Sequence, residues 1–97
     1  MSTVYIVILT YIKPLEEVDT AIPAHVAWLK KGYAEGIFLA SGRRIPRTGG
    51  VILAKSESLA ALEERLREDP FQALKLATAE IIPFEPSLKA ELLDNVF

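Results

Sequence analysis

Hydrophobic and polar positions divide the chain into four strand-like and two helix-like segments. The first, from Thr3 to Ile12, is rich in β-branched and aromatic residues, which favours a β-strand. Apolar side chains fall on both of its faces: Val4, Ile6 and Ile8 on one, and Tyr5, Val7 and Leu9 on the other. A strand with this pattern is normally covered on both sides. We therefore predict a first strand with two buried faces.

A helical pattern follows, from Ile22 to about Glu35. Pro23 suits the first turn of such a helix, because an N–H at that position would have no partner in the helix. Gly36 suits the end, where a glycine often stops the last turn. We interpret the preceding acidic segment, residues 15–20, as a loop or as the entry to this helix.

Two short apolar runs then predict a second strand over Ile37–Ser41 and a third over Val51–Lys55. The segment between them, Gly42–Gly50, is rich in turn-forming and basic residues and is predicted to be a long hairpin connection. It is not a phosphate-binding loop, because no Lys-Ser/Thr pair and no helix follow its glycines.

The second helix is predicted after Ser56 or Ser58, either of which can cap it. Its apolar residues recur at helical spacing: Leu59, Leu62 and Leu66. Asp69-Pro70 ends it, because a residue that precedes proline is disfavoured in the helical region. Ala77–Glu85 is predicted as a fourth strand, and its Pro83 indicates the edge of a sheet. The tail from Ser87 has the spacing of a short amphipathic helix.

The predicted order is β-α-β-β-α-β, which indicates an α+β, ferredoxin-like fold with a four-stranded antiparallel sheet and both helices on one face. We predict a single domain over residues 1–97, with a core at 3–85 and a C-terminal tail at 86–97. Two helices cover one face of the sheet only, yet the strands are apolar on both. A second copy of the chain is the simplest cover for the other face, so we expect a homodimer or a higher oligomer.

The composition excludes several classes of site and partner. The 97 residues include no cysteine, which excludes disulfides and thiolate metal sites and fits a cytoplasmic protein. A net charge of −2 gives no reason to expect nucleic acid as a partner. No apolar run approaches the roughly 20 residues of a membrane span, and the apolar run Val4–Leu9 lacks the flanks of a signal peptide. With one histidine, a metal site is not expected.

The only histidine, His25, lies in "AHVAWLKKG" beside the only tryptophan, Trp28. Asp69 lies in "REDPF" at the predicted end of the second helix. A carboxylate that bonds one imidazole nitrogen fixes the tautomer and leaves the other nitrogen free to accept a proton. The alternatives are a satisfied core histidine and an aspartate that starts a local turn. Four aromatic residues, Trp28, Tyr5, Tyr11 and Phe38, are predicted to pack in the core or a dimer interface, although an aromatic-lined pocket would also use them.

Several segments together resemble the YciI-related proteins of the dimeric α+β barrel superfamily: "AHVAWLKKGYAEGIFLASGR", "GGVILAKSES", "REDPF" and "AEIIPFE". The resemblance spans about Thr3 to Glu85. It implies a fold of two facing sheets with a cleft beside the histidine. It also implies an activity similar to that of dehydrochlorinases or isomerases that need neither metal nor organic cofactor. It also implies that His25 and Asp69 are the catalytic pair and that Ser41 and Gly42 line the cleft.

From this resemblance we predict a cofactor-independent enzyme whose His25–Asp69 pair acts as general acid and base on a small, oxygenated, anionic metabolite. Arg43 and Arg44 in "RRIPR", with Arg47 beside them, could bind a carboxylate or phenolate of this substrate. Alternatively, the arginines form a solvated hairpin tip. The alternative function is a non-catalytic small-ligand-binding or accessory dimeric protein.

Overall fold

The computed structural model describes residues 3–97; the first two residues of the predicted domain lie outside the described part. The elements follow in the order β1 (Val4–Tyr11), α1 (Leu15–Ala34), β2 (Phe38–Arg43), β3 (Gly49–Lys55), α2 (Leu59–Arg67), α3 (Pro70–Ala73) and β4 (Ala77–Phe84). The strands form one sheet in the order β2-β3-β1-β4, and every neighbouring pair is antiparallel. This arrangement confirms the predicted ferredoxin-like fold. The division into core and tail remains a prediction.

Helix α1 begins at Leu15, so the predicted start at Ile22 was wrong. Pro14 precedes the first turn, and its carbonyl accepts the first hydrogen bonds of the helix. Two glutamates in that turn lie near the positive end of the helix dipole, where carboxylates are favourable. Pro23 lies inside the helix, where it has no N–H to donate to the carbonyl of Asp19.

The β2–β3 hairpin is tighter than predicted, because β2 extends to Arg43 and β3 begins at Gly49. The added residues pair across the hairpin, and Arg43 lies opposite Gly50. Gly49 also allows β3 to lie close to β1 at this end of the sheet. A Cβ atom at that position would lie 1.7 Å from the carbonyl oxygen of Leu9 on the neighbouring strand.

The core lies between the sheet and the helices. Its buried members are Tyr5, Val7, Leu9, Val18, Ala21, Trp28, Phe38, Ile52, Ala54, Leu62, Leu66, Phe71, Leu76 and Ala77. Leu59, which shares the helical spacing of Leu62 and Leu66, is instead exposed. Helix α1 comes close to the sheet at Gly32, where a Cβ atom would lie 2.1 Å from the ring of Phe38.

The opposite face of the sheet carries a band of aliphatic side chains, which we call the outer face. Ile6 pairs with Leu53 on one side and with Ile82 on the other, so the three share this face. Ile82 and Phe84 are 41% and 40% exposed. The helices therefore cover one face of the sheet only, as expected.

The C-terminal tail contains a single 3-10 turn, Glu91–Leu93, so the predicted amphipathic helix was wrong. The tail nevertheless contacts the sheet, because Lys55 Nζ donates a hydrogen bond of 2.8 Å to the carbonyl of Val96. Within residues 3–97, no helix combines the length and the apolar character needed to cross a membrane.

Candidate active site

His25 lies in the middle of α1 and its side chain is 12% exposed. Its ring stacks on that of Phe71, with 3.9 Å between centroids and 7° between planes. Trp28, one turn along the helix, lies 5.6 Å away. The Trp28 indole is itself fixed, because Nε1 donates to the carbonyl of Arg65 at 3.1 Å. Aromatic rings on two sides therefore hold the imidazole in one orientation.

Asp69 occupies the capping position before α3 and is fully buried. Its backbone is extended, as expected before Pro70, and its Oδ1 accepts a 3.0 Å hydrogen bond from the N–H of Phe71. The same oxygen lies 2.7 Å from His25 Nδ1. The cap thus aims the carboxylate at a histidine 44 positions away.

This contact decides which nitrogen of His25 carries the proton. An ionised carboxylate can only accept, so the neutral imidazole holds its hydrogen on Nδ1 and leaves a lone pair on Nε2. Nε2 makes no hydrogen bond to any residue in the described part of the chain. Asp69 Oδ2 is buried and has no partner within residues 3–97. The carboxylate therefore fixes the tautomer and the orientation of the imidazole through Oδ1.

His25 opens onto a cavity of about 370 Å³ between α1 and the sheet. The wall combines apolar side chains with a few polar and charged ones: Leu9, Tyr11, Asp19, Ile22, His25, Val26, Leu29, Ser41, Gly42, Arg43, Arg47, Gly50, Val51, Ile52 and Phe71. Asp69 is not part of this wall. A largely apolar cavity with a few convergent polar groups is typical of small-molecule sites.

Three of the four predicted substrate contacts lie in this wall: Ser41, Gly42 and Arg43. The hydroxyl of Ser41 is 2.6 Å from that of Tyr33. Arg44 is not among the lining residues; its Nη1 donates to Thr10 Oγ1 at 3.1 Å. The roles of all four in substrate binding remain predictions.

Arg47 and Asp19 also line the cavity. In the sequence Arg47 stood beside the predicted substrate contacts as a further arginine for an anion, and nothing there singled out Asp19. Arg47 Nη2 donates a 2.5 Å hydrogen bond to Asp19 Oδ1, which joins the hairpin to α1. The guanidinium lies 5.8 Å from the centre of the Tyr11 ring. The hydrogen bond to Asp19 raises the pKa of Arg47, so the side chain stays charged. The only sequence signal for this residue was its place in the basic hairpin.

No three His, Cys, Asp or Glu side chains within residues 3–97 are grouped so that they could hold a metal ion. The polar groups of the cavity are instead an imidazole, hydroxyls, a carboxylate and guanidinium groups. These groups can transfer a proton and bind an oxygenated anion.

Comparison with known proteins adds two findings. The family described as the YCII-related domain matches residues 4–85. Among solved structures, the fold is similar to that of 5-chloro-2-hydroxyhydroquinone dehydrochlorinase from Burkholderia phenoliruptrix, in complex with 2,5-dihydroxybenzoquinone. The TM-score is 0.73 at 17% identity, over 84% of this chain and 93% of that one. No curated protein matches the sequence.

Proposed function

Since the chain belongs to the YCII-related family, we propose that it is a cofactor-independent enzyme that acts on a small, oxygenated, anionic molecule. In this proposal His25 is the general acid and base, and Asp69 orients it. Ser41, Gly42 and Arg43 contact the substrate. The class of reaction is an elimination, an isomerisation or a hydrolysis, because each of these needs a group that moves a proton.

One observation carries the proposal. His25 is bonded through Nδ1 to a buried carboxylate, and the same imidazole lines a cavity large enough for a small molecule. A histidine held in this way has its Nε2 lone pair available for a substrate proton. Nε2 takes the proton, the resulting imidazolium is stabilised by Asp69, and the proton is then returned to the substrate, to a leaving group or to water.

The fold neighbour supports an aromatic-derived substrate. That protein is described as a dehydrochlorinase of a chlorinated hydroxyhydroquinone, and its complex holds a dihydroxybenzoquinone. The cavity of this chain has features that suit a similar ligand, because Phe71, Tyr11 and aliphatic side chains line it together with hydrogen-bonding groups. A flat, oxygenated ring is therefore the ligand type that we propose.

The alternative is a non-catalytic small-ligand-binding or accessory protein. It is favoured by the packing of His25, since an imidazole that is 12% exposed and stacked on Phe71 is also suited to a purely structural role. In that case the cavity binds a ligand without any proton transfer.

We also propose that the protein is a homodimer that assembles through the outer face, because the aliphatic band there has no cover from the helices. We propose that the protein is cytoplasmic, because it has no cysteine and so forms none of the disulfides that stabilise many proteins in oxidising compartments.

Proton exchange with solvent tests the enzyme proposal, because elimination, isomerisation and hydrolysis all pass a proton through the same imidazole. The protein is incubated in deuterium oxide with hydroxylated quinones, hydroxybenzoates and 5-chloro-2-hydroxyhydroquinone, and the ligands are followed by proton NMR. We expect enzyme-dependent exchange or product formation with at least one compound. The variant His25→Gln should abolish it, and Asp69→Asn should reduce it less severely.

The control is Arg67→Gln, since Arg67 pairs with Glu64 on the exposed face of α2 and does not line the cavity. Its activity should equal that of the unaltered protein. Undiminished exchange with His25→Gln would contradict the proposal. Ligand binding without any exchange would favour the alternative of a binding protein.

A further inference from the structure

We infer that Arg47 determines the ligand specificity of the cavity, and that the ligand carries a carboxylate that replaces Asp19 as the partner of the Arg47 guanidinium. This inference rests on the proposed small-molecule site and adds the chemical group by which that site recognises its ligand. Arg47, Asp19 and His25 line the same cavity, so one ligand can reach all three.

The ion pair between Arg47 and Asp19 lies where Arg47 can exchange Asp19 for the carboxylate of a ligand. The Arg47 side chain is 26% exposed and that of Asp19 is 53% exposed, so the pair lies at the border between the cavity and solvent. Ion pairs in such positions contribute little to stability, because water solvates the separated charges well. Asp19 can therefore turn into solvent when another carboxylate reaches the guanidinium, at a small cost in free energy.

The charges of the cavity favour an anion. Its wall contains two guanidinium groups, from Arg43 and Arg47, and one carboxylate, from Asp19. Arg43 forms no ion pair with any residue in the range 3–97. Most of the remaining wall is apolar, which strengthens the attraction between these cations and an anion that enters. One positive charge is left without a counter-ion inside the cavity, and an anionic ligand supplies it.

The geometry points to a carboxylate and to Arg47 in particular. Arg47 already holds one carboxylate oxygen, at 2.5 Å, and the guanidinium has further N–H groups for a second oxygen. Its position over the Tyr11 ring limits the orientations that the group can take. Arg43 is exposed on β2 and has no such support. Arg47 is therefore the cation that is held in one orientation, whereas Arg43 adds positive charge to the cavity.

Titration calorimetry with benzoate and benzamide tests this assignment, because the two differ mainly in charge. We expect the protein to bind benzoate at millimolar concentration and benzamide at least about tenfold more weakly, as for the loss of a charge-assisted hydrogen bond. Arg47→Gln should weaken benzoate binding by a similar factor and leave benzamide unchanged. Asp19→Asn should strengthen benzoate binding, because it removes the competing carboxylate.

Arg67→Gln is the matched control, as it removes the same charge outside the cavity. Thermal unfolding establishes that each variant is folded, and Arg47→Lys, which keeps the charge, should retain part of the affinity. Absence of benzoate binding, equal affinity for benzamide, or unchanged binding by Arg47→Gln would overturn the inference. His25→Gln should still bind benzoate, so a failure of the catalytic proposal is distinguished from a failure of this one.

Discussion

At position 69 a single carboxylate oxygen serves two donors. Oδ1 of Asp69 accepts from the backbone N–H of Phe71 and contacts Nδ1 of His25. The first contact starts α3 and the second orients the imidazole, so the local turn and the candidate site depend on the same atom. The structural and functional interpretations of Asp69 are therefore compatible.

Substitution of Asp69 should destabilise the fold in a graded way. Asp69→Ala leaves two donors without an acceptor in a buried place, and we expect it to lower the free energy of unfolding by roughly 1 to 3 kcal/mol. Asp69→Asn should cost less, because its amide oxygen can still accept from both donors. Urea denaturation followed by circular dichroism measures both changes.

The control for this series is Asp94→Ala. Asp94 lies in the tail, and its side chain is 57% exposed and lies 3.5 Å from Lys89 Nζ. Its loss should change stability by less than about 0.5 kcal/mol. Equal effects at positions 69 and 94 would show that the buried contacts of Asp69 contribute nothing measurable.

Distinctive local settings drew attention to His25 and Asp69 in the sequence, and the resemblance to a family then implied that they are a pair. One is the sole histidine on an apolar helix face, and the other is the aspartate of an Asp-Pro pair at a helix end. Arg47 has no such setting. Its significance comes from contacts with Asp19 and Tyr11, which belong to other elements, and the pattern of charges along a chain does not reveal which charged side chains meet. Arg44, three positions away, turns to Thr10 instead.

Among the elements, residue types and periodicity together identified the four strands and the helices α1 and α2 that the structure describes within residues 3–97, but they located the ends less well. Helix α1 starts at Leu15 because Pro14 and the acidic first turn can begin a helix, and Pro23 is not its starting signal. A proline is compatible with both a first turn and an interior position when the lost hydrogen bond is compensated by packing elsewhere. In the tail the predicted helix did not form, because two of its apolar positions, Leu88 and Leu92, are exposed and have no surface to pack against.

The start of α2 provides a prediction at the scale of the element. Ser58 Oγ accepts a 3.0 Å hydrogen bond from the N–H of Ala61, so Ser58 is the capping residue. Ser58→Ala should lower the free energy of unfolding by about 1 kcal/mol. Ser56, whose hydroxyl donates to the carbonyl of Ser58, is the natural control, and Ser56→Ala should cost clearly less. A larger loss at Ser56 than at Ser58 in thermal or urea denaturation would reverse this assignment.

At the scale of the whole molecule, the outer face, which the helices leave uncovered, predicts self-association. Light scattering at micromolar concentration should give the mass of a dimer. The interface of that dimer should bury more than ~1,200 Å² in total. Ile82→Lys should shift the equilibrium toward the monomer, because it places a charge in the aliphatic band. Leu74→Lys is the control, since Leu74 is 61% exposed at the end of α3. A monomeric unaltered protein would contradict the proposal.

The tail provides a second prediction at this scale. Val96 accepts a hydrogen bond from Lys55 on the sheet, and Val96 and Phe97 are only partly exposed. Removal of residues 87–97 should therefore lower the melting temperature or weaken dimerisation. Lys55→Met tests the single contact, and it should reproduce a smaller part of the same effect. If the truncated protein melts and associates like the full chain, the tail has no stabilising role.

Helix α1 carries both Asp19 and His25, and it thereby sets the distance between them. Six positions along an α-helix correspond to an axial distance of ~9 Å, at 1.5 Å per residue. Arg47 meets this helix at Asp19, so the proposed anion contact lies about one such span from His25, and we expect the cavity to select ligands by length. A molecule in which one aromatic ring separates an acid group from the reacting atom matches the span, whereas a longer chain must bend and a shorter one must give up one of its two contacts.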